Sequence, residues 1–437
     1  MKSLIRKFTP KWLLSFYHYS LALLSNLVYM MPSRKLIVIG ITGTKGKTSA
    51  SNYIWSVLQS GGIKTGILTT ANIRIGEWEE DNSYHMTMPG RFFAQRMLRR
   101  MVKEGCEVAV VETTSQGIAQ FRHLGIRYDV AIFTNLTAEH IESHGSFEAY
   151  KRAKGKMFEA LTKYPRKLWK EREFPKTSVI NLDSEHAGFY INFDADQIKT
   201  YSIEAESDFK ANHVALLENG STFEVQNTSY RTNLPGLFNV YNALPAIVAG
   251  KIFNVASANI QEGIEKVKRI AGRMEEIPTH RDFRVFVDYA HEPAGLQSVI
   301  EAGNAIKGKD SKTIVLIGAP GGGRDKAKRP LMGRAAGKYA DIVIVSDDEP
   351  YDEDPNVILS AVKDGCIDAG KEEGRDLFVI GDRLLGIRKA LSLAKEGDIV
   401  IFTGLGHQKV RMLKEGPASW SEAEVLKIEI AHLKKHA

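Results

Sequence analysis

Cysteine is nearly absent: Cys106 and Cys366 are the only two in 437 residues, far apart and in no metal-ligand spacing. That excludes a disulfide framework and a structural zinc site, and points to reduced thiols in a cytosolic compartment. Acidic residues are missing from positions 1–35, which carry Lys2, Arg6, Lys7, Lys11, Arg34 and Lys35. Those six cations supply almost all of the formal net charge of +7, so the rest of the chain is close to neutral. A basic surface spread over the whole protein is thereby excluded, and with it a general nucleic-acid binder. No small-residue cleavage site follows the first apolar stretch, which argues against a removed signal peptide.

What is present fits a soluble chain of two or three domains, since 43% hydrophobic and 25% charged residues over this length suffice for real cores. Residues 1–35 read as a basic amphipathic helical segment. Between Lys11 and Arg34, Ser15, His18, Ala22, Ser25 and Asn26 recur at helical spacing as a narrow polar stripe, with Trp12, Leu13, Phe16, Leu23, Leu24 and Leu27 elsewhere. Such a helix suits a membrane surface, or packs on the domain behind it or on a partner; its length is marginal for a span.

Leu36–Ile41 reads as a buried strand, followed by Thr42-Gly43-Thr44-Lys45-Gly46-Lys47-Thr48-Ser49 and a helix over Ala50–Leu58. A strand, a glycine-rich turn and a helix form a phosphate cradle. The two glycines let backbone amides approach oxygen, Lys47 reaches the outer phosphates, and Thr48 offers a hydroxyl to Mg²⁺. Two more strands, Glu107–Val111 and Val130–Phe133, end in Glu112-Thr113-Thr114-Ser115 and in Thr134-Asn135-Leu136 running on to His140. Ligands of an open α/β sheet bind at strand C-terminal ends, so Glu112 and His140 could converge on a metal beside the loop.

These motifs occur in a fixed order with Gln120 and Arg122, His144-Gly145, Ala153-Lys154, Gly236-Leu237-Phe238-Asn239, Gly272-Arg273-Met274-Glu275, Asp288-Tyr289-Ala290-His291, Arg324-Asp325-Lys326 and Gly404-Leu405-Gly406-His407. The ordered set resembles the Mur ligases from about Leu36 to Arg411, most closely the MurE type, which adds the third residue of the peptidoglycan stem peptide. The resemblance implies an ATP-dependent amide ligase that forms an acyl phosphate and then an amide, releasing ADP and phosphate. It also implies a central P-loop parallel-sheet ATPase domain over 36–270 and a smaller Rossmann-like α/β domain over 271–437.

By the same resemblance Lys47, His140 and Lys154 are catalytic, and Thr48, Glu112, His140 and a carbamylated Lys154 hold two Mg²⁺ ions. ATP would lie on Gly43, Thr44, Lys45, Gly46, Lys47, Thr48 and Ser49 with Asn239, Arg273 and Asp288. A sugar-peptide acceptor, UDP-MurNAc-dipeptide or a relative, would meet Thr87, Thr114, Ser115, Gln120 and Arg122. The amino acid would meet Arg324, Asp347, Asp348, Glu349, Gly404, His407 and Gln408. The expected protein is a cytoplasmic monomer that binds no nucleic acid and could touch the inner face of the membrane through residues 1–35.

The chain departs from the family in three places. The uridine-binding N-terminal domain has no counterpart in the 35 residues before the first motif, Leu237 stands where the family has arginine, and Ser346-Asp347-Asp348-Glu349-Pro350 replaces an arginine-bearing run. Three acids in that pocket suggest a preference for an amine-bearing side chain such as lysine, with an exposed acidic loop as the plain alternative. A ligase for a lipid-linked precursor, a folylpolyglutamate-synthetase-like ligase and a non-catalytic nucleotide-binding scaffold are the competing functions.

Overall fold

The computed structural model describes residues 10–76, 78–82, 87–137, 144–323 and 326–433. The chain forms two compact units: one comprises the chain up to His213 with Phe223–Tyr230 and Tyr241–Lys266, the other Val214–Thr222, Arg231–Val240 and Val267 onwards.

The first unit is built on nine strands: β1 (Ile37–Thr42), β2 (Thr65–Leu68), β3 (Asn72–Ile75), β4 (Trp78–Asp81), β5 (Val108–Glu112), β6 (Val130–Phe133), β7 (Thr177–Asn181), β8 (Gln197–Ser202) and β9 (Phe209–Lys210). Their order is β9-β8-β7-β6-β1-β5-β2-β3-β4, parallel except for β3 and β4 at one edge. Every residue of β1, β5 and β6 is buried, as their apolar runs require of strands covered on both faces. Each side chain such as Val38, Ile39 or Ile41, at 0% exposure, contributes about 1.5–3 kcal/mol. At the N-terminal end of the strands the buried carboxylate of Asp129 takes bonds from Lys167 Nζ (2.5 Å), Lys176 Nζ (2.9 Å) and Val38 N (2.8 Å). That closes one end of the sheet and leaves the C-terminal end for ligands.

Helix α1 (Lys11–Val28) departs from the usual orientation of an amphipathic helix. The C-terminal part of its polar stripe, Ala22, Ser25 and Asn26, faces inward, while Ser15 of the same stripe is exposed. Asn26 Nδ2 bonds Leu124 O and Ala22 O, both at 3.0 Å, while Ser25 Oγ bonds Ala22 O at 2.8 Å. The apolar side is exposed, because buried carbonyls in the segment beneath the helix need donors that leucine cannot supply. After α1 the chain turns through Met30 and Met31, both left-handed at φ 61° and 48°, with Met31 N bonded to Asn26 O at 2.8 Å. Ser33 Oγ then bonds Gly125 O at 2.8 Å.

Beside that segment, burial and the cations Lys156 and Lys163 push the His123 imidazole down to about 4. A folded value below the unfolded 6.5 means that the unfolded chain takes up the proton first on acidification. Stability from this group is present above pH 6.5 and is lost as pH falls toward 4. We expect a drop of roughly 2 kcal/mol across that window in urea unfolding, and a flatter profile for His123→Gln.

The second unit holds β10 (Glu275–Ile277), β11 (Arg284–Val287), β12 (Thr313–Ile317), β13 (Ile342–Val345), β14 (Leu377–Val379) and β15 (Ile399–Phe402), ordered β10-β11-β15-β12-β13-β14. All neighbours are parallel except β10 with β11. This is the second, smaller doubly wound sheet expected from the sequence.

Candidate functional site

The loop after β1 leads into helix α2 (Lys47–Ser60). Gly46 sits at φ 79°, and a Cβ there would run into Asn242 Oδ1, so glycine is required for shape as well as space. Asn135 braces the loop. Its carbonyl accepts from Thr44 N at 2.9 Å, and its side chain exchanges bonds with Lys45 N (2.9 Å) and Lys45 O (3.2 Å). Thr44 Oγ1 pairs with Tyr150 Oη at 3.0 Å and accepts from Thr137 N at 3.0 Å. The first α-helical bond is Ala50 N to Gly46 O, so the amides of Gly46, Lys47, Thr48 and Ser49 precede the helical ladder and open toward an anion.

Three chemically distinct groups meet at this loop. Lys47 Nζ donates to Gly43 O at 3.0 Å and Thr44 O at 2.8 Å, which holds the ammonium over the cradle. Thr48 Oγ1 donates to Glu112 Oε2 at 2.9 Å, with Thr48 3% and Glu112 2% exposed. Lys154, on helix α5 (Phe147–Glu159) and also 2% exposed, donates from Nζ to Gly43 O at 2.7 Å. α4 (Ser115–Ala119) follows β5. His140 lies outside the described residues.

The sequence reading missed Thr70. Its amide donates to Glu112 Oε2 at 2.9 Å and its hydroxyl to Glu112 Oε1 at 3.0 Å, so Glu112 is fixed at both oxygens by neutral donors. Thr70 is positioned by the turn around Asn72, whose amide side chain is paired with Asn52 on α2 at 3.0 and 3.2 Å. Thr70 Oγ1 also lies 2.6 Å from Thr87 Oγ1. That contact joins Glu112, through Thr70, to one of the expected acceptor residues. Arg122 Nη1 donates to Met88 O, Arg122 Nη2 to Gln120 Oε1 at 2.6 Å, and Arg91 Nη2 to Gln120 O at 2.7 Å. Thr114 caps α4 through Gly117 N at 3.1 Å, and Ser115 Oγ lies 3.1 Å from His144 Nε2. Arg91, at the start of helix α3 (Arg91–Lys103), was also missed.

A buried hydroxyl and carboxylate at a P-loop helix start are the hard oxygen donors that Mg²⁺ takes, so these residues fit the ion. Lys154 as an ammonium has no lone pair to offer. A carbamate on the same nitrogen keeps one N–H for Gly43 O and adds carboxylate oxygens, which also fits.

In the second unit Asp288 Oδ2 accepts from Met274 N and Oδ1 from Ala290 N, both at 2.7 Å. Burial pushes that carboxyl up, against the opposing pull of Arg273 and the backbone amides. Arg273 lies over the Tyr289 ring at 4.9 Å, and Tyr289 packs at 5.1 Å on His407. Asn239 Nδ2 donates to Pro235 O at 2.8 Å. Gln408 is 8% exposed and a Cβ at Gly404 would press on Asp348. Asp347, Asp348 and Glu349 do not form an exposed acidic loop: Asp348 and Glu349 are each 3% exposed. Nor do the acids stand unopposed, because Arg411 reaches Asp347 Oδ2 at 3.3 Å and Asp348 O at 2.9 Å, and Arg383 reaches Asp347 O at 3.1 Å. The premise for lysine over diaminopimelate is therefore weakened. Arg324 lies outside the described residues.

Residues 41–250 match the Mur ligase middle domain, and residues 272–406 match the Mur ligase glutamate ligase domain. The UDP-N-acetylmuramyl-tripeptide synthetase of Roseiflexus sp. (strain RS-1) is 34% identical over 425 residues, 95% of this chain and 82% of the relative. The UDP-N-acetylmuramoyl-L-alanyl-D-glutamate–2,6-diaminopimelate ligase of Geobacillus thermodenitrificans (strain NG80-2) is 35% identical over 418 residues, 94% and 82% of the two chains. A solved diaminopimelate ligase of the same description superposes with TM-score 0.61 at 28% identity, over 92% of this chain and 79% of that one. Mycobacterium tuberculosis folylpolyglutamate synthase gives TM-score 0.69 at 17% identity, covering 94% of each chain, a likeness of fold alone. With both domains matched in order and about a third of all residues shared across nearly the whole chain, the protein belongs to the Mur ligase family of ATP-dependent ligases that form carbon–nitrogen bonds.

Proposed function

We propose that this ligase acts as a MurE-type enzyme of peptidoglycan assembly, adding an amino acid to the carboxylate of UDP-MurNAc-dipeptide or a closely related sugar-peptide. The observation that carries the reading is the meeting of Lys47, the Thr48–Glu112 pair and the buried Lys154 on one phosphate loop. The acceptor carboxylate attacks the γ-phosphate, the bond to the β–γ bridging oxygen breaks so that ADP leaves and an acyl phosphate forms, and Lys47 stabilises the charge that develops on the phosphoryl oxygens. The amine of the amino acid then attacks the acyl phosphate, and phosphate leaves. Thr48, Glu112, His140 and carbamylated Lys154 would hold two Mg²⁺ ions, which when bound offset phosphate charge. Gln120 and Arg122, tied together and to Thr87 through Met88, would position the anionic acceptor. Asn239, Arg273 and Asp288 are assigned to ATP, and Asp347, Asp348, Glu349, Gly404, His407, Gln408 and Arg324 to the amino acid, on the family pattern. The enzyme acts as a single chain.

The test is phosphate release from ATP with UDP-MurNAc-dipeptide and single amino acids, with a folate acceptor as control and Lys154→Ala as the inactive variant. Release that needs both acceptor and amino acid supports the reading. Release with folate alone would replace it. Thr70→Val should raise the Mg²⁺ concentration for half-maximal rate by about tenfold, because Glu112 Oε1 loses its hydroxyl donor and the carboxylate is then held at Oε2 alone, by Thr48 Oγ1 and the residue-70 amide. An unchanged Mg²⁺ dependence would take Glu112 away from the metal.

A further inference from the structure

Helix α1 turns Ala22, Ser25 and Asn26 toward the protein and exposes large apolar side chains along its length. Trp12 is 71% exposed, Phe16 64%, Leu24 49%, Leu27 64%, Val28 56% and Met30 71%, whereas Ala22, Ser25 and Asn26 are at most 5% exposed. An apolar face of this size on an ordered helix has a partner in its working state. No helix among the described residues is long and apolar enough to cross a membrane.

Charge identifies the partner. The segment 1–35 has six cations and no acid, and the exposed Arg34 and Lys35 stand at the C-terminal side of α1. Beneath α1 lies α3, which carries Arg91, Arg96, Arg99, Arg100 and Lys103 and again no acid. The exposed Phe92 on α3 extends the apolar face through its contact with Tyr29. A second copy of the chain docked here would bring cations against cations, because a twofold interface sets like patches together. A surface that is apolar inside and anionic outside meets both demands. We propose that α1 lies in the plane of an anionic lipid surface, with Trp12, Phe16, Leu24 and Leu27 among the acyl chains and the flanking Lys and Arg residues at the headgroups. The contact runs beside the expected acceptor residues: Tyr19 packs on Phe121 at 5.6 Å, next to Gln120 and Arg122. Lipid binding itself is independent of ligase chemistry.

The experiment is sedimentation of the full chain, without ATP, with vesicles of phosphatidylcholine alone or mixed with phosphatidylglycerol, at low and high salt. The protein should pellet with the anionic vesicles and partition on the order of tenfold less onto neutral ones or in high salt. The variant Phe16→Asp/Leu24→Asp changes two exposed side chains, so thermal unfolding and ATP turnover in solution should be retained while partition falls on the order of a hundredfold. Recovery in the supernatant with both vesicle types overturns the proposal, as does equal partition of the variant and the parent or equal binding to neutral vesicles. A dimer seen by light scattering, abolished in the variant and accompanied by no vesicle binding, overturns it in favour of a second copy.

Discussion

Lys47→Ala lowers kcat for ATP-dependent ligation by on the order of a thousandfold, with little change in thermal stability. The ammonium is held over the loop by the carbonyls of Gly43 and Thr44, so its position is set before nucleotide arrives and costs no rearrangement during phosphoryl transfer. Alanine is well tolerated at the first position of α2, and the loop retains its bracing by Asn135 and Tyr150. The loss therefore falls on the transition state. Saturating phosphate-release assays read kcat directly; a variant that keeps more than about a tenth of parental turnover would place the charge stabilisation elsewhere.

The second large effect is on folding. Arg383 opens the helix Arg383–Leu393, and Glu422 opens the helix Glu422–Leu433. Both side chains are 0% exposed and pair at 2.7 Å, with Trp420 Nε1 on the second Glu422 oxygen at 2.7 Å. Arg383→Met leaves Glu422 charged, buried and without its guanidinium, and strips donors from Thr403 O and Asp347 O. We expect a loss of about 3–5 kcal/mol in urea unfolding, with most of it recovered in Arg383→Met/Glu422→Leu because both charges then leave together. A cost below about 1 kcal/mol for the single variant would mean that solvent reaches the pair. Asp347 is among the residues assigned to the amino acid, so the double variant should also weaken amino-acid KM through the loosened loop, although its stability returns.

The strands that build both sheets are readable because they are short apolar runs closed by polar residues. Val130–Phe133 falls where the pattern puts it to the residue, and Leu36–Ile41 and Glu107–Val111 are each displaced by one residue from the strands Ile37–Thr42 and Val108–Glu112. The phosphate loop is readable because its chemistry is local, four residues, 43–46, between a strand and a helix. Thr70 is not, since it reaches Glu112 across 42 positions from a turn without a motif, and only the fold brings them together. The plain alternative for the acidic run at Asp347, an exposed loop, follows from charge alone; its burial depends on Arg383, from the helix Arg383–Leu393, and Arg411, from the short ribbon strand Val410–Leu413. In α1 the periodicity marks the stripe that is buried at Ala22, Ser25 and Asn26 but not at Ser15, and it says nothing about which face turns inward. That is decided by the carbonyls of Leu124 and Gly125, which select Asn26 and Ser33 as partners.

The turn at Met30 and Met31 bears on how freely the molecule can rotate. Two consecutive non-glycine residues in the left-handed region cost on the order of 1–2 kcal/mol each, and such a bend persists only when its surroundings hold it. Met31 N on Asn26 O and Ser33 Oγ on Gly125 O do so from both sides. A helix joined by a fixed elbow is a keel rather than a tether. Whatever α1 rests on sets the tilt and heading of the first unit, so encounters with a substrate confined to that plane become a search in two dimensions from a single approach angle.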